Sequence, residues 1–275
     1  MTASDIQINE SNRVVLSDNE LQSISVSVSD NLKLDIEAPK NTFGRCYIKI
    51  DGTGKLELNV TINENSHWSF LMMNQSDEEI EFTEEWNLRK NAEVNLAIGE
   101  LTLGNHTKDA VYHLLEEGSS IFVRGASLVQ SKLTSTIKAI HHKGHTHAQI
   151  DNYGIVLANC EFTLDVIGQI EKAAKQAKTH QISKVMNFGL KPKSSINPKL
   201  IIEENDVEAS HAATIGQPDP LQVYYLQSRG MNKGEALKLI SLGYLLPIID
   251  VIEDEHVKEV LRDAVIDKVS NACLM

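Results

Sequence analysis

Apolar and polar residues alternate along most of residues 6–215. The pattern is plainest in three runs, at 24–29 (ISVSVS), 32–36 (LKLDI) and 55–62 (KLELNVTI). Because a period of two places every second side chain on the same face, these runs are typical of β-strands with one buried face. Only the stretch from Asn105 to Leu115 predicts a helical turn. The pattern disfavours a layered α/β fold and leaves a β-sandwich, a β-barrel or a β-solenoid.

A degenerate internal repeat separates these options. Similar short phrases begin 26, 27, 26, 30 and 31 residues apart, at Asn65, Asn91, Gly118, Gly144, Ala174 and Asn205. A small or turn-forming residue followed by an alternating strand, at this period, is typical of successive rungs of a parallel β-solenoid. A sandwich with evenly spaced hairpins remains the alternative, but few Asn-Gly or Asp-Gly turns are present to favour hairpins. The repeat therefore favours a solenoid.

Helical spacing of apolar residues replaces the alternation after residue 217. Asp219 is predicted to cap a first helix that has Pro220 at its first position and stops at Gly230. Asn232 with Glu235 three residues later has the spacing of a capping box and predicts the start of a second helix. The chain therefore divides into a β-core, residues 1–216, and a helical region, residues 217–275.

Two further features complete the predicted helical region. Gly243 is expected to end the second helix. A third helix is predicted from an apolar stripe made by Val257, Val260, Leu261, Ala264, Val265 and Val269. Part of this apolar surface is expected to cover the open last rung, because an exposed strand edge promotes aggregation. The remainder is available to a partner.

Composition narrows the class of partner and the compartment. The formal net charge is −12, and no basic stretch with interleaved aromatic residues occurs, which argues against nucleic acid and favours a protein partner. No apolar run is long enough for a membrane span, and the first fifteen residues lack the pattern of a signal peptide, so we expect a cytoplasmic protein. Cys46, Cys160 and Cys273 form no CxxC pair that would indicate a zinc or redox site.

Two groups of histidines are candidate metal ligands. The denser group is His141, His142, His145 and His147, and imidazole suits zinc, iron, nickel or copper. Only Asp151 lies nearby to complete a ligand set, so a polar rung or surface loop is favoured over a metal site. His211 lies within the repeated alternation and, taken alone, is more typical of a hydrogen-bonded structural histidine.

Several short motifs near the end of the β-core carry a family resemblance. They are ASHAATIG at 209–216, YLQSRG at 225–230, KGEA at 233–236 and GYL at 243–245. Occurring in this order, they resemble the C-terminal signature of SufB/SufD proteins, components of an iron–sulfur cluster assembly scaffold. The resemblance implies a right-handed parallel β-helix followed by a small helical region. It extends over residues 154–245, while the earlier rungs match only in style, and the N-terminal helical region of longer members is not found.

The resemblance also assigns roles to two residues. It implies that His211, from the family's Ser-His-Gly-Ala-Thr motif with Ala212 in place of glycine, is a cluster ligand at the interface of two β-helices. Glu208 is a weaker candidate that orients His211 or supplies an oxygen. SufB members carry a cysteine upstream, whereas residues 189–195 (GLKPKSS) contain none, which favours the SufD branch. We therefore expect no stably bound cofactor in the isolated chain, and a transient iron–sulfur cluster or iron only with a partner.

The family's partners are a SufC-type ABC ATPase, docked on the C-terminal helices, and a SufB-like subunit or a second copy, paired through the β-helix near residues 200–213. The predicted partner-binding residues are Tyr224, Tyr225, Leu226, Arg229, Gly230, Glu235, Gly243 and Tyr244. No nucleotide-binding motif of the G-x-x-x-x-G-K-[ST] or G-x-G-x-x-G kind occurs, so ATP hydrolysis is assigned to the partner and the chain is expected not to be an enzyme.

Two other functions remain open at this point. β-Helices also form polysaccharide-active enzymes, which need paired carboxylates or a calcium site in a groove lined with aromatic residues. Only 5% of this chain is aromatic, and no carboxylate pair on adjacent rungs is evident. The third hypothesis is a protein-interaction solenoid in which every histidine is structural.

Overall fold

The structure is a computed structural model that describes residues 4–246 and 255–273. It contains seventeen β-strands followed by three α-helices. The strands are β1 (Ser4–Ile8), β2 (Asn12–Val15), β3 (Leu21–Val28), β4 (Asn31–Ala38), β5 (Phe43–Gly52), β6 (Gly54–Ile62), β7 (His67–Asn74), β8 (Ile80–Leu88), β9 (Glu93–Glu100), β10 (His106–Leu114), β11 (Ser120–Val129), β12 (Lys132–His141), β13 (His147–Val156), β14 (Glu161–Ile170), β15 (Lys178–Asn187), β16 (Lys193–Ile202) and β17 (Glu208–Gly216). The helices are α1 (Pro220–Ser228), α2 (Lys233–Leu245) and α3 (Glu255–Cys273).

The strands form two sheets in which each strand pairs with the strand two positions away in the chain. The odd-numbered strands make a nine-stranded sheet from β1 to β17, and the even-numbered strands make an eight-stranded sheet from β2 to β16. Every pairing is parallel, as in His67↔Glu93 and Glu93↔Ser120. This topology is a parallel β-solenoid, so the predicted fold class is confirmed and the sandwich and barrel are excluded.

A repeated turn residue explains the period seen in the sequence. Asn41, Asn65 and Asn91 each stand two positions before an odd-numbered strand and adopt φ values of 57°, 55° and 51°. Asparagine tolerates this left-handed conformation better than most residues. The three amides also stack, because Asn65 donates to Asn41 over 3.1 Å and Asn91 donates to Asn65 over 3.0 Å. The turns of successive coils are therefore held in register by one amide ladder.

The interior between the two sheets is filled by the apolar half of each alternating strand. Its largest members form an aromatic series, with the rings of Phe70 and Trp86 at 4.9 Å and those of Trp86 and Tyr112 at 6.3 Å. Edge-to-face contacts of this kind add about 0.5 to 1.5 kcal/mol beyond the burial of apolar area. All three side chains are buried.

The helical turn expected between Asn105 and Leu115 is not formed. This stretch is strand β10, whose alternate side chains His106, Lys108 and Ala110 are all buried. Because two of these interior positions carry charged or polar groups, the apolar alternation was hidden and a helical spacing fitted instead.

Local capping signals set where the first two helices begin. The Asp219 side chain accepts a hydrogen bond from the backbone nitrogen of Leu221, and Asn232 with Glu235 forms a reciprocal capping box. Both starts match the sequence prediction, as does the stop of α1 before Gly230. The prediction that Gly243 ends α2 is wrong. The helix continues to Leu245 because Leu245 is fully buried against the solenoid, which outweighs the low helix propensity of glycine.

The helices pack along the outer face of the nine-stranded sheet. Outward-facing Leu71 and Ala97 are buried in one cluster with Ile240 of α2 and Val265 of α3. Lys268 of α3 also forms an ion pair of 2.9 Å with Asp77 of the solenoid. The expectation that the helices cover the last rung is therefore wrong. Strands β7, β9, β11 and β13 offer an apolar outer face that the alternation pattern alone did not reveal.

Candidate functional site

The C-terminal end of the solenoid is uncovered in the described part of the chain. Strands β16 and β17 are the last members of their sheets, and every residue in both is at least partly exposed. In β15, by contrast, Thr179, Gln181 and Ser183 are buried. We call the exposed surface of β16 and β17 the open end. Its outer strand edges present unpaired backbone groups to any chain that can add a strand.

His211 lies on the inward-facing side of β17 at the open end. Its register partner is Gln181, whose side chain is buried in the interior, and neighbouring positions on parallel strands share a face. Ala209 and Ala213 flank it on that face, so no large side chain covers the ring. His211 is exposed, and neither ring nitrogen has a hydrogen-bond partner among the described residues. An imidazole with both nitrogens free is available as a metal ligand.

Glu208, the weaker candidate for orienting His211 or supplying an oxygen, lies on the opposite face of β17 from His211. Glu208 pairs in register with Lys178 on the outer face, and the Lys178 Nζ to Glu208 Oε1 distance is 2.8 Å. The hydrogen bond and charge of Lys178 lower the pKa of the Glu208 carboxyl. Two positions three residues apart on a strand face opposite sides. Glu208 is thus bonded elsewhere and cannot orient His211 within this chain.

Apolar side chains occupy the other interior rows of the last coil and form a rim at the open end. Ile196, Leu200 and Ile202 of β16 continue the interior rows of the coil beneath, and Ile215 of β17 lies in the row of His211. Ile202 and Ile215 are 41% and 44% exposed, whereas the equivalent residue beneath Ile202, Ile170, is fully buried. A rim of half-exposed interior residues is what a further coil, or a partner, would cover.

The four histidines between residues 141 and 147 do not converge. His141 is buried, with Nδ1 at 2.7 Å from Thr146 Oγ1. His142 Nδ1 lies 3.0 Å from Glu171 Oε2, and His145 stands in a left-handed turn on the surface.

His147 completes this set. Its ring packs edge-on against Phe122 and His180, with centroids 5.0 and 6.0 Å away. Each histidine thus has a different environment. Within residues 4–246 and 255–273, no group of three or more histidine, cysteine, aspartate or glutamate side chains could hold a metal ion.

Two cysteine thiols in the described residues lie away from His211. Cys46 is buried inside the solenoid, and burial raises the pKa of its thiol. Cys160 is also buried, its Sγ donates to the carbonyl of Ala158 over 3.4 Å, and burial raises its pKa as well. Neither is a ready thiolate. The residue beneath His211 in the neighbouring strand is Gln181.

The predicted partner-binding residues fall into two groups. Tyr224, Tyr225 and Arg229 are exposed on α1 or its C-cap, with the Arg229 guanidinium 5.2 Å from the Tyr225 ring centroid. Helix α1 has no fully buried residue. An exposed helix that carries aromatic and guanidinium side chains is a suitable surface for a protein partner.

The other predicted partner-binding residues serve the fold. Tyr244 packs edge-on against Tyr153 with centroids at 5.8 Å, and burial raises its pKa to about 12. Leu226 packs against the apolar cluster that contains Leu71 of the solenoid and Ile240 of α2. Glu235 completes the capping box. Gly230 has a φ of 93° after α1, and Gly243 lies inside α2.

A buried charge network inside the solenoid was missed by the sequence analysis. Lys108 Nζ lies 3.0 Å from Glu84 Oε1 and 2.8 Å from Glu100 Oε1, and His106 Nε2 lies 3.1 Å from Glu100 Oε2. Burial raises the pKa of Glu100, but the charges of Lys108 and His106 outweigh it and lower the pKa to about 2. The sequence feature that could have revealed this network is the presence of charged residues at inward positions of alternating strands.

No helix in the described residues is long and apolar enough to span a membrane.

The fold and the exposed terminal strand define a β-solenoid protein with an unpaired end and a helical appendage. The family model described as "SUF system FeS cluster assembly, SufBD core domain" matches residues 47–244. The chain therefore belongs to the SufB/SufD family. The match begins well before residue 154, so the resemblance covers more of the solenoid than the short motifs indicated.

Individual relatives are similar over shorter stretches. The iron–sulfur cluster assembly protein SufD of Bacillus subtilis is 30% identical over 182 residues, which cover 66% of this chain and 42% of that protein. SufD of Escherichia coli is 37% identical over 62 residues, 22% of this chain and 15% of its own length. A SufBD family protein of Pyrococcus horikoshii is 31% identical over 102 residues, 37% of this chain and 23% of its own. The chain thus matches less than half the length of these relatives.

Proposed function

We propose that this protein is a non-catalytic scaffold subunit of the SUF iron–sulfur cluster assembly machinery. The observation that carries the proposal is His211, exposed with two free ring nitrogens at the open end of a solenoid of the SufB/SufD family. A metal site that has one of its ligands at an unpaired end of the solenoid is completed only when another subunit binds there. The chain therefore supplies one imidazole to a site that it shares.

The partner at the open end is a SufB-like subunit or a second copy of this chain. The free edges of β16 and β17 accept strand addition, and Ile202 and Ile215 supply apolar area for the partner to bury. Thiolate ligands come from the partner, since iron–sulfur clusters are held mainly by cysteine and the described cysteines here are buried elsewhere. The isolated chain then holds no stable cluster, and iron binds transiently in the shared site.

A SufC-type ABC ATPase docks on the helical region through α1. Tyr224, Tyr225 and Arg229 are exposed there, and they are residue types enriched at binding hot spots. Tyr244, Gly243 and Glu235 contribute by shaping α2 and its contact with the solenoid. The nucleotide chemistry belongs to the ATPase.

A polysaccharide-active enzyme is the weaker alternative. Glu84 and Glu100 are two neighbouring carboxylates, but both are buried inside the solenoid and paired with Lys108. A sugar chain has no access to them. No observation favours this activity.

The proposal is tested by the association of the purified chain. We expect self-association at tens of micromolar, by order of magnitude, and heteromeric assembly when a SufB-type subunit and the ATPase are co-expressed. Ile215→Arg at the rim should abolish both self-association and binding of the SufB-type subunit, but it should leave ATPase binding intact. Val15→Arg is the matched control, because Val15 is similarly exposed, at 54%, near the other end of the solenoid. A strict monomer that captures neither partner would contradict the proposal.

A further inference from the structure

Four polar side chains form a continuous series across the outer side of the eight-stranded sheet. They come from four successive coils: Glu85 in β8, His113 in β10, His142 directly after β12, and Glu171 directly after β14. The two histidines are joined by a 3.0 Å contact between His113 Nδ1 and His142 Nε2. At the ends, His142 Nδ1 lies 3.0 Å from Glu171 Oε2, and His113 Nε2 lies 3.7 Å from Glu85 Oε1.

The two imidazole rings are arranged end to end. Their planes differ by 18° and their centroids are 5.3 Å apart, while the facing nitrogens are 3.0 Å apart. Because the centroid separation exceeds the nitrogen separation by about the width of one ring, His113 and His142 point their nitrogens at each other. This is the geometry of an N–H···N hydrogen bond and not of face-to-face stacking.

Counting protons shows that the series is incomplete when both histidines are neutral. A neutral imidazole carries one N–H. If His142 donates from Nδ1 to Glu171, its Nε2 must accept, so His113 must donate from Nδ1. His113 Nε2 then carries a lone pair and no hydrogen, and it faces the Glu85 carboxylate. Two hydrogen-bond acceptors are therefore in contact with no proton between them. One further proton on His113 Nε2 would give all three contacts a donor.

A second further proton is opposed by the same geometry. It would place hydrogens on both facing nitrogens, break the N–H···N bond and create two adjacent cations. The charged groups acting on His113 are Glu85 and Glu171, which favour protonation, and His142 and Lys138, which oppose it. Burial, as the largest influence, lowers the pKa of His113 below its usual range. The His113 and His142 side chains are still 22% and 25% exposed, so protons exchange with water.

We propose that Glu85, His113, His142 and Glu171 form one proton-binding unit that takes up a single proton on acidification and resists a second. The unit joins four coils, so its protonation state changes the contacts between them. Two independent histidines in the unfolded chain take up two protons over the same range. Stability therefore falls as the pH drops below the usual histidine pKa, because the unfolded state then binds more protons.

Nitrogen-15 NMR of the histidine-labelled full chain tests the unit. At neutral pH we expect a through-hydrogen-bond coupling between His113 Nδ1 and His142 Nε2. On acidification both rings should shift together in a first step worth one proton in total. The second step should follow more than about one pH unit lower. The proposal would be overturned if the coupling is absent and the two rings titrate independently, each taking up one proton with the same midpoint pH.

Two variants sharpen the test. In His142→Gln, His113 should titrate alone in one step, whereas an unchanged His113 curve would show that nothing is shared. His145→Gln is the control, since His145 is exposed and ion-paired only loosely with Glu117 at 3.6 Å. It should leave the titration of His113 and His142 unaltered. If His142→Gln lowers solubility, Glu171→Gln keeps both rings, and the first step should then move to lower pH.

Discussion

Replacing Lys108 with methionine should destabilise the solenoid by about 3 to 5 kcal/mol at neutral pH, the usual cost of removing one member of a buried ion pair. Methionine keeps an apolar stem but removes the ammonium that lies 3.0 Å from Glu84 and 2.8 Å from Glu100. These side chains are at most 5% exposed, so water cannot replace the lost partner. Two buried carboxylates would then have only His106 as a countercharge.

The variant should also reverse the local pH dependence. In the native protein the pKa of Glu100 is lowered from 4.5 to about 2. Its contribution to stability is therefore complete above pH 4.5 and is lost only as the pH falls toward 2. Without Lys108, less charge opposes the burial that raises the pKa of the Glu100 carboxyl, and the folded variant should bind more protons than the unfolded chain. The difference in the free energy of unfolding between the native protein and the variant should then become smaller as the pH falls from about 7 to about 5.

Urea unfolding measures both effects. The two tryptophans of the chain, Trp68 and Trp86, are both buried in the interior. Trp86 Nε1 donates a hydrogen bond to Glu84 over 2.8 Å. Their fluorescence therefore reports on the affected coils. Lys55→Met is the matched control, because Lys55 contacts two carboxylates at 3.5 and 3.6 Å but is 37% exposed. It should cost less than about 0.5 kcal/mol. Equal losses in the two variants, or a difference that does not change with pH, would refute the reasoning.

Three further outcomes are expected. Burial, with His147 and His142, lowers the pKa of His141 to about 3, so its contribution to stability is present above pH 6.5 and is lost as the pH falls toward 3. His141→Leu should therefore flatten the pH dependence of urea unfolding, and an unchanged slope would contradict this. Thr179 is fully buried with Oγ1 unpartnered in the described chain, so Thr179→Val should leave the melting temperature unchanged or raise it, whereas a loss above about 1 kcal/mol would reveal a hidden partner. Arg229→Ala should weaken ATPase capture in pull-down assays without lowering the melting temperature, while the control Arg89→Ala binds normally; equal binding by both would place the docking surface elsewhere.

The local features of the fold could be predicted from the sequence. Alternation identified the strands, and the recurring turn residues such as Asn65 and Asn91 marked the coils, because both signals depend only on neighbours in the chain. The caps at Asp219 and Asn232 were equally local. The position of the helices was not predictable in this way, since it depends on outward-facing Leu71 and Ala97, which come together only when the coils stack.

The site was predicted unevenly for similar reasons. The motif placed His211 on the last strand, where it is exposed. The opposite orientation of Glu208 followed from strand parity and could have been deduced from the three-residue spacing. The network around Lys108 was hidden because a charged residue at an inward position breaks the apolar pattern that identifies the strand. Its ion pairs join strands of both sheets, and no local signal records them.

The most direct test of the central claim is the iron and acid-labile sulfide content of the assembled complex, purified without oxygen, with native chain or His211→Ala. Because neither nitrogen of His211 is bonded to a described residue, the variant should assemble and melt like the native complex but hold several-fold less iron and sulfide. The exposed His145→Ala control should retain the native content. A His211→Ala complex with full iron and sulfide would contradict the assignment of His211 as the ligand supplied by this chain.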